Sequence, residues 1–408
     1  MNVLLSTLFG ASVTFFTAKD IIKSITPWSD KVIDMCFHPA NNDAQGNLRV
    51  VYSGLSSTLD RPLCAVVNFF QNCLHDVLGA PILALLLAAF GTAMAIMAIE
   101  GSRHGFKKSL LALFPLYGLL ANAVGIYAVF SFLWVPMHVF YKRSAFFKKD
   151  HWNITQAQVY GTLGAVLLGF GLPSAFFFSP WIKPDTRLEQ DVLALWQGAP
   201  LFVATLIPVL VRFFQQPSEI DQVRDQAERN RRYIAQGKSA LEKSYLILGI
   251  LNVLVYFGSY WAVAHQGIHL WDSLVLLYRA PDNLPEVSFG DLGQILTTRT
   301  VMVDFAVLSL GFISWATFDG GLLYGLLVIL GIPLIGPSAA VSFYAYYRED
   351  RVQNLTSTNP AFEKAFTPGD SSPRDFSPRD SSPVALDPID LSPIDLSPID
   401  LSPADISS

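Results

Sequence analysis

Four carboxylates stand beside strongly apolar sequence, and they are the first candidates for chemistry. Asp304 and Asp319 flank one apolar stretch, Glu100 closes another, and Asp272 lies in a stretch rich in Leu, Tyr and Trp. A carboxylic acid that is removed from water keeps its proton more tightly and can donate it as a general acid. Ionisable residues inside a membrane span are functional candidates by default. We therefore predict catalytic roles for Asp304, Asp319, Glu100 and Asp272.

Each of these carboxylates also has a structural interpretation. Asp304 could pair with Arg299 near a helix start, and Asp319 could form a turn or cap a helix before Gly320. Glu100 could be a helix-end charge, and Asp272 could belong to an interfacial aromatic belt. If one helix carries both Asp304 and Asp319, the two lie about 22 Å apart along it and are not one acid pair.

The sequence has no signature of a nucleotide, metal or nucleophile site. Neither a GxSxG turn nor a Ser/His/Asp order occurs, and Cys36, Cys64 and Cys73 have no zinc-ligand spacing. At most one disulfide can form. No basic run with interleaved aromatic residues indicates a nucleic-acid partner. We expect no cofactor and no metal.

The elements that position these residues are predicted to be membrane-spanning helices. Of the 408 residues, 51% are hydrophobic and 15% charged, whereas soluble proteins carry about 25% charged residues. A span needs roughly 18 to 25 apolar residues. The stretches that meet this length are 81–99, 110–133, 159–178, 192–211, 245–264, 302–318 and 322–345, with 3–17 doubtful. The predicted fold is an all-α polytopic bundle of seven or eight spans.

The polar segments predict the orientation and the domain boundary. Residues 20–80 read as an irregular loop, and 212–243, with seven Lys and Arg, as a cytoplasmic surface helix. This orientation places Asn153 in the cytoplasm and Asn354 in the lumen, and both head glycosylation sequons. Residues 1–350 form the predicted transmembrane domain. The Pro/Ser/Asp-rich repeats within 351–408 cannot pack a core and predict a disordered tail.

The order of spans, the aromatic-rich body and the segment Trp-Ala-Thr-Phe-Asp-Gly-Gly at 315–321 resemble the fungal membrane-bound terpene cyclases of meroterpenoid pathways, of the ascofuranone and macrophorin type. The resemblance covers roughly residues 1–350. It implies cyclisation of a farnesylated phenol in the endoplasmic reticulum membrane, after a separate oxygenase has epoxidised the terminal alkene. It also implies proton-initiated chemistry that needs no metal.

The mechanism expected from this resemblance begins with protonation of the epoxide by a neutral carboxylic acid. The resulting tertiary carbocation closes on an internal alkene or is captured by a hydroxyl, and a base removes the last proton. Cation–π contacts of about 2 kcal/mol or more in a dry site would stabilise the cation. Trp315, Trp261 and Trp134 are the candidates for these contacts.

The sequence is also compatible with three other functions, those of a transporter, a seven-span receptor and an interaction scaffold. A transporter would also carry intramembrane acids, but it is expected to show inverted repeats, and the two halves of the chain show no convincing similarity. The DRY-like and NPxxY-like residues of the commonest seven-span receptors do not occur. An interaction scaffold would leave Asp304 and Asp319 dispensable.

Overall fold

The chain is helical throughout the part that the computed structural model describes. The described residues are 2–37, 49–54, 56–145, 152–182, 185–215, 219–222, 224–279 and 287–357. They form no β-strand. The body that contains them ends at Thr358, and residues 359–408, which include most of the predicted tail, lie outside the described part.

The described residues form fifteen α-helices. In chain order they are α1 (Asn2–Phe37), α2 (Ser57–His75), α3 (Gly79–Ser102), α4 (Phe114–Val124), α5 (Ile126–Ala128), α6 (Val135–Ala145), α7 (Gln156–Val166), α8 (Leu172–Phe176), α9 (Thr186–Trp196), α10 (Ala199–Phe214), α11 (Gln226–His265), α12 (Leu270–Arg279), α13 (Phe289–Gly320), α14 (Leu322–Ile335) and α15 (Pro337–Ser357). Two π-helical segments, Val129–Trp134 and Leu167–Gly171, join α5 to α6 and α7 to α8 without a break.

Among the described residues, four helices are long and apolar enough to cross a membrane. They are Gly79–Ser102, Gln156–Phe176, Glu228–His265 and Phe289–Gly320. They correspond to the predicted spans 81–99, 159–178, 245–264 and 302–318. Such runs cross a bilayer as helices because every backbone hydrogen bond then closes inside the segment. The membrane character of the fold is supported, whereas the predicted count of seven or eight spans is not confirmed.

The other three predicted spans are interrupted. The stretch 110–133 breaks at Gly125, whose φ is 90°, and 322–345 breaks at Gly336, whose φ is 84°. These left-handed conformations are open to glycine and end a helix. The stretch 192–211 bends by 60° between α9 and α10. Hydropathy averages over a window and therefore does not register such breaks.

Two of the predicted polar segments also take a different form. The described part of 20–80 is not an irregular loop, since it holds the second half of α1 and all of α2, which a disulfide between Cys36 and Cys64 joins. The cytoplasmic surface helix expected within 212–243 is the beginning of the 40-residue α11. Because α11 continues into the span without a stop, the charged and apolar segments form one rigid element.

The centre of the fold is the pair of helices α3 and α13. In α3 the most apolar window is 83% buried, so protein rather than lipid surrounds most of it. α13 packs against α1, α2, α3 and α14, while α7 packs on α10 and α11 on α15. The C-terminal parts of α3, α6, α13 and α15 meet at one end of the bundle.

Asn153 and Asn354 lie at the same end of the bundle, whereas the sequence analysis expected them on opposite sides of the membrane. α14 and α15 form a hairpin at Gly336, so the chain returns to the end from which α14 left. Lys238 at the start of α11 pairs with Asp350, and the Trp152 carbonyl beside Asn153 accepts a hydrogen bond from Arg103 in the same region. Both sequons therefore lie at one end of the bundle. The Asn354 side chain is outside the described residues, and α15 runs to Ser357, beyond the predicted tail boundary at 351.

Candidate functional site

A set of ionisable side chains lies buried where the ends of α3, α6, α13 and α15 meet. We call it the buried charge cluster, and its members are Glu100, Arg103, His138, Lys142, Asp319, Tyr344, Arg348, Glu349 and, at its edge, Arg351. Apart from Arg351, all are buried. Charged groups are placed in such surroundings only when partners compensate their lost hydration.

Arg348 connects the carboxylates of this cluster. Its Nε donates to Asp319 Oδ2 over 2.7 Å, and its Nη1 donates to Glu100 Oε1 over 2.8 Å. Nη2 reaches the second oxygen of each, at 3.2 Å from Glu100 and 3.3 Å from Asp319. The planar guanidinium offers donors in a fixed fork, which suits two carboxylates at once. One side chain of α15 thereby ties α3 to α13.

Glu100 and Asp319 are each surrounded by further donors. Arg103 donates to Glu100 over 2.8 Å and also pairs with Glu349. Lys142 Nζ lies 2.8 Å from Asp319 Oδ1, and the Tyr344 hydroxyl donates to Asp319 Oδ2 over 2.6 Å. Charge-assisted bonds of this number favour the ionised form of a carboxyl group. Glu100 and Asp319 therefore lie in surroundings that suit carboxylates and not proton-donating acids.

An aromatic ladder adjoins the cluster. The rings of Phe130, Trp134 and His138 stack at successive positions i, i+4 and i+8, with centroids 5.0 Å apart at each step. Trp315 of α13 lies 6.1 Å from Trp134 and 6.0 Å from His138. The first two rings of the ladder belong to the π-helical segment Val129–Trp134. Such segments are frequent at functional sites.

The ladder limits the role predicted for the tryptophans. Phe130 and His138 cover the two faces of Trp134, and the Arg348 guanidinium lies 5.4 Å over the Trp315 ring. In this arrangement neither indole presents a bare face to a carbocation. Trp261, the third candidate, is 67% exposed on α11 and lies apart from both.

Asp304 has different surroundings from Glu100 and Asp319. Its Oδ1 accepts a hydrogen bond from the backbone N–H of Tyr127 over 3.1 Å, and no hydrogen bond or ion pair to a cationic side chain is found for it among the described residues. The carboxyl group thus caps the helix that begins at Ile126, directly after the break at Gly125. Asp304 is only partly buried in the protein. It therefore lies within a candidate membrane span and keeps part of its surface exposed.

The structural interpretation of Asp304 expected an ion pair with Arg299, and the structure does not contain this pair. Arg299 Nη2 lies 2.8 Å from Asp20 Oδ2, and Nη1 donates to the Ser24 hydroxyl over 2.9 Å. These partners are on α1, and the bond draws α1 onto α13. The cation that the sequence offered to Asp304 is thus engaged elsewhere.

Asp272 lies outside both of these groups. It is exposed in the first turn of α12, whose neighbouring Trp271 is 76% exposed. This placement agrees with the interpretation as an interfacial helix. The structure thus brings Glu100, Asp319, Trp134 and Trp315 together and leaves Asp304, Asp272 and Trp261 apart from them.

Most of the cationic partners were missed by the sequence analysis. Arg103, Lys142 and Arg348 follow apolar stretches and read there as ordinary flanking charges. One signal could have indicated Arg348. Arg348 and Glu349 directly follow the run 337–347. If the hairpin of α14 and α15 at Gly336 is recognised, this charged pair is expected inside the bundle.

The opposite end of the bundle holds a second polar region. Asp60 accepts hydrogen bonds from the Ser53 backbone and hydroxyl over 2.7 and 2.8 Å, and these bonds lower the pKa of the Asp60 carboxyl. Glu189 contacts His75 and Gln71 across α2 and α9. No group of three or more His, Cys, Asp or Glu side chains in the described part of the chain is arranged to hold a metal ion.

A cavity of about 290 Å³ opens beside α3, between α4, α7 and α10. Its walls are mostly apolar, with Ser102, Lys107 and Gln158 as polar groups. None of the predicted carboxylates lines it.

Comparison with known proteins gives one match. The model of the CtvD domain matches residues 31–274. This range includes Glu100, His138 and Asp272, and it ends before α13 and α15, which carry Asp304, Asp319 and Arg348. No curated protein and no solved structure matches the chain.

Proposed function

Because the chain belongs to the family defined by the CtvD domain, we propose that it is a membrane-bound terpene cyclase acting on an epoxidised farnesylated phenol. The family match supports an enzyme of a meroterpenoid pathway. The apolar helices support a membrane protein, which suits a substrate that dissolves in the bilayer. Residence in the endoplasmic reticulum and supply of the epoxide by a separate oxygenase are parts of this proposal.

The observation that carries the proposal is the position of Asp304. Its carboxyl group lies partly exposed on α13, beside the break at Gly125 between two other helices. It lacks the cationic partners that surround Asp319 on the same α13. Broken helices at membrane depth are tolerated where the freed backbone is buried or lines a cavity. A carboxyl group there can meet an apolar substrate in its neutral form, which is the form that donates a proton.

In the proposed reaction Asp304 protonates the epoxide oxygen, and the C–O bond to the tertiary carbon breaks. The cation at that carbon accepts the electron pair of an internal alkene, so a C–C bond and a ring form. A neighbouring C–H bond then releases its proton to the Asp304 carboxylate, and an alkene results. The two proton transfers cancel, so the reaction is an isomerisation and Asp304 returns to its starting form.

Tyr127 supports Asp304 in two ways. The backbone N–H of Tyr127 donates a hydrogen bond to the Asp304 carboxyl group. The Tyr127 ring and this carboxyl group both lie beside Gly125, since a Cβ built there would stand 2.6 Å from Tyr127 Cε1 and 3.5 Å from Asp304 Oδ2. An aromatic ring next to the acid is suited to stabilise a carbocation. In this proposal Tyr127 takes the role that Trp315, Trp261 and Trp134 were expected to have.

The test is turnover in microsomes that contain the full chain. A farnesylated phenol epoxide is supplied without added metal, and isomeric products are followed by mass spectrometry. We expect Asp304→Asn to lower the rate by about 100-fold or more, the usual contribution of a general acid. Asp272→Asn is the matched control, because it removes an exposed carboxylate, and its rate should equal that of the wild type.

Two results would contradict the proposal at different levels. If well-inserted wild-type protein turns over no such epoxide, the cyclase function is wrong and a transporter becomes the leading alternative. If the wild type is active and Asp304→Asn is equally active, the reaction stands and the acid is another group.

A further inference from the structure

The cavity beside α3 lies where α10 passes from one neighbouring helix to another. A Cβ at Gly118 would stand 2.5 Å from Pro200 Cβ, so α4 and α10 touch near the start of α10. A Cβ at Gly161 would stand 2.6 Å from Val211 Cγ2, so α7 and α10 touch near its end. Ala204 lies on α10 between these two contacts and lines the cavity. Close packing on both sides therefore bounds a space of about 290 Å³.

The walls of this space suit a hydrocarbon chain. Ala98 of α3, Phe114 of α4 and Ile207 of α10 contribute apolar surface, and no acidic side chain is among the described residues that line the cavity. An apolar cavity of about 150 Å³ holds one benzene molecule, so a space of this size has room for a chain of roughly ten carbon atoms.

The polar lining residues supply mainly hydrogen-bond donors. Gln158 Nε2 donates to Ser102 Oγ over 3.2 Å, and Ser102 Oγ donates to the Ala98 carbonyl over 2.7 Å. These bonds hold the Gln158 amide in place and leave its second N–H to bind a ligand. Lys107 is exposed, and within the described residues its ammonium group has neither a hydrogen bond nor an ion pair. A cation and an amide N–H beside an apolar space fit the oxyanion of an amphipathic molecule.

The surroundings of the cavity indicate that this molecule comes from the bilayer. Leu110, Leu113 and Leu116 are exposed on the segment that also lines the cavity with Phe114, so the outer surface there suits acyl chains. Lys107 follows the end of the candidate span Gly79–Ser102, at the end of the bundle that is predicted to be cytoplasmic. Basic pockets between spanning helices on this side bind the headgroups of anionic lipids.

We propose that the cavity is a binding site for an anionic phospholipid. One acyl chain lies between α4, α7 and α10, and Lys107 and Gln158 bind the phosphate of the headgroup. The second acyl chain lies on the outer surface formed by the exposed leucines. Asp304 does not line this cavity, so the inference does not depend on the proposed function.

The experiment measures lipid binding to the full chain by native mass spectrometry from detergent. The two ligands are dioctanoylphosphatidic acid and dioctanoylglycerol, which differ only by the phosphate. We expect the wild type to bind the phosphatidic acid about tenfold more tightly, because the phosphate forms charge-assisted hydrogen bonds. In Lys107→Gln this preference should disappear. Lys108→Gln is the matched control, since Lys108 is equally exposed and does not line the cavity, and it should keep the preference.

A second pair of variants tests whether the acyl chain occupies the cavity. Ala204→Phe fills the space and should lower the affinity for both lipids by about tenfold. Thr205→Phe adds the same ring at the next position, which is exposed and does not line the cavity, and should leave both affinities within about twofold. If Ala204→Phe does not insert, Ile207→Trp fills the cavity from the next turn of α10 and serves as the test.

Equal binding of the two lipids by the wild type, or an equal loss of preference in Lys107→Gln and Lys108→Gln, would overturn the inference. The second result would mean that surface charge alone attracts the lipid. Inorganic phosphate in excess should not displace the phosphatidic acid. If it does, and if filling the cavity changes neither affinity, the site binds free phosphate and the lipid assignment is wrong.

Discussion

At the scale of single residues, Arg348 explains how the buried charge cluster is held together. It contacts Glu100, Asp319 and Glu349, which belong to three different helices. Burial of each ion costs several kcal/mol, and the cluster recovers this only if all partners are present. If one carboxylate is removed, Arg348 still pairs with the other two. If Arg348 is removed, all three carboxylates lose a cationic partner at once.

We predict that Arg348→Met destabilises the protein by about 3 to 5 kcal/mol, the usual cost of breaking a buried ion pair from one side. The measurement is thermal unfolding of the purified protein in detergent. The double variant Arg348→Met with Asp319→Asn should recover part of the loss, because it also removes an uncompensated charge.

The control for this prediction is Arg351→Met. Arg351 also reaches Asp319, at 3.3 Å, but its side chain is 27% exposed, so its loss should cost about 1 kcal/mol or less. Equal stability of Arg348→Met and the wild type would mean that water already compensates the cluster.

At the scale of elements, the helix break at Gly125 fixes the position of Asp304. The short helix α4 and the helix Ile126–Ala145 form a hairpin whose turn is Gly125, and Asp304 of α13 lies at this turn. The carboxyl group satisfies a backbone N–H that the break leaves free. The same contact fixes the position of Asp304, so its capping role and the proton transfer that we propose for it depend on one turn.

We predict that Gly125→Ala lowers both stability and turnover. Its φ of 90° disfavours a side chain, and a Cβ would stand 2.6 Å from Tyr127 Cε1. The expected cost is about 1 to 2 kcal/mol, and displacement of Tyr127 should lower kcat more than it raises KM. Steady-state kinetics and thermal unfolding of the same preparation measure both effects.

Gly258→Ala is the matched control, since a Cβ at this helical glycine meets nothing within 4 Å. Alanine favours the helix there, so stability should stay equal or rise by up to about 1 kcal/mol. Wild-type kinetics in Gly125→Ala would show that the turn does not position Asp304.

At the scale of the whole molecule, the two ends of the bundle differ in chemistry. One end carries the Lys- and Arg-rich start of α11 and the buried charge cluster, and the other carries the disulfide between Cys36 and Cys64. Positive residues favour the cytoplasmic side, and disulfides persist in oxidising compartments such as the lumen of the endoplasmic reticulum. The two features therefore agree on one orientation.

This orientation predicts the outcome of a glycosylation experiment. Gly54 is exposed at the disulfide end with a φ of 65° that asparagine tolerates, and Gly54→Asn creates a sequon with Ser56. We expect this variant to gain a glycan in microsomes, while Asn153 and Asn354 of the wild type remain unmodified. A mobility shift that endoglycosidase reverses is the readout.

The conservative control is Gly54→Gln, which offers no acceptor. A glycan on wild-type Asn153 or Asn354 would reverse the orientation and place the buried charge cluster at the lumenal end.

The sequence by itself determined the class of fold and part of the candidate site. Long apolar runs require helices in a membrane, because the backbone has no other partner there, and this holds for α3, α7, α11 and α13 regardless of packing. The rarity of carboxylates in such runs was sufficient to indicate Asp304, Asp319 and Glu100.

Only the tertiary structure decided which carboxylate has partners. Arg348 and Glu100 are 248 residues apart in the chain, and Asp304 and Tyr127 are 177 residues apart, so no local pattern relates them. The breaks at Gly125 and Gly336 likewise depend on neighbouring helices that pack against the turns. Charge and hydropathy are properties of residues, whereas desolvation and pairing are properties of the contacts that the fold creates.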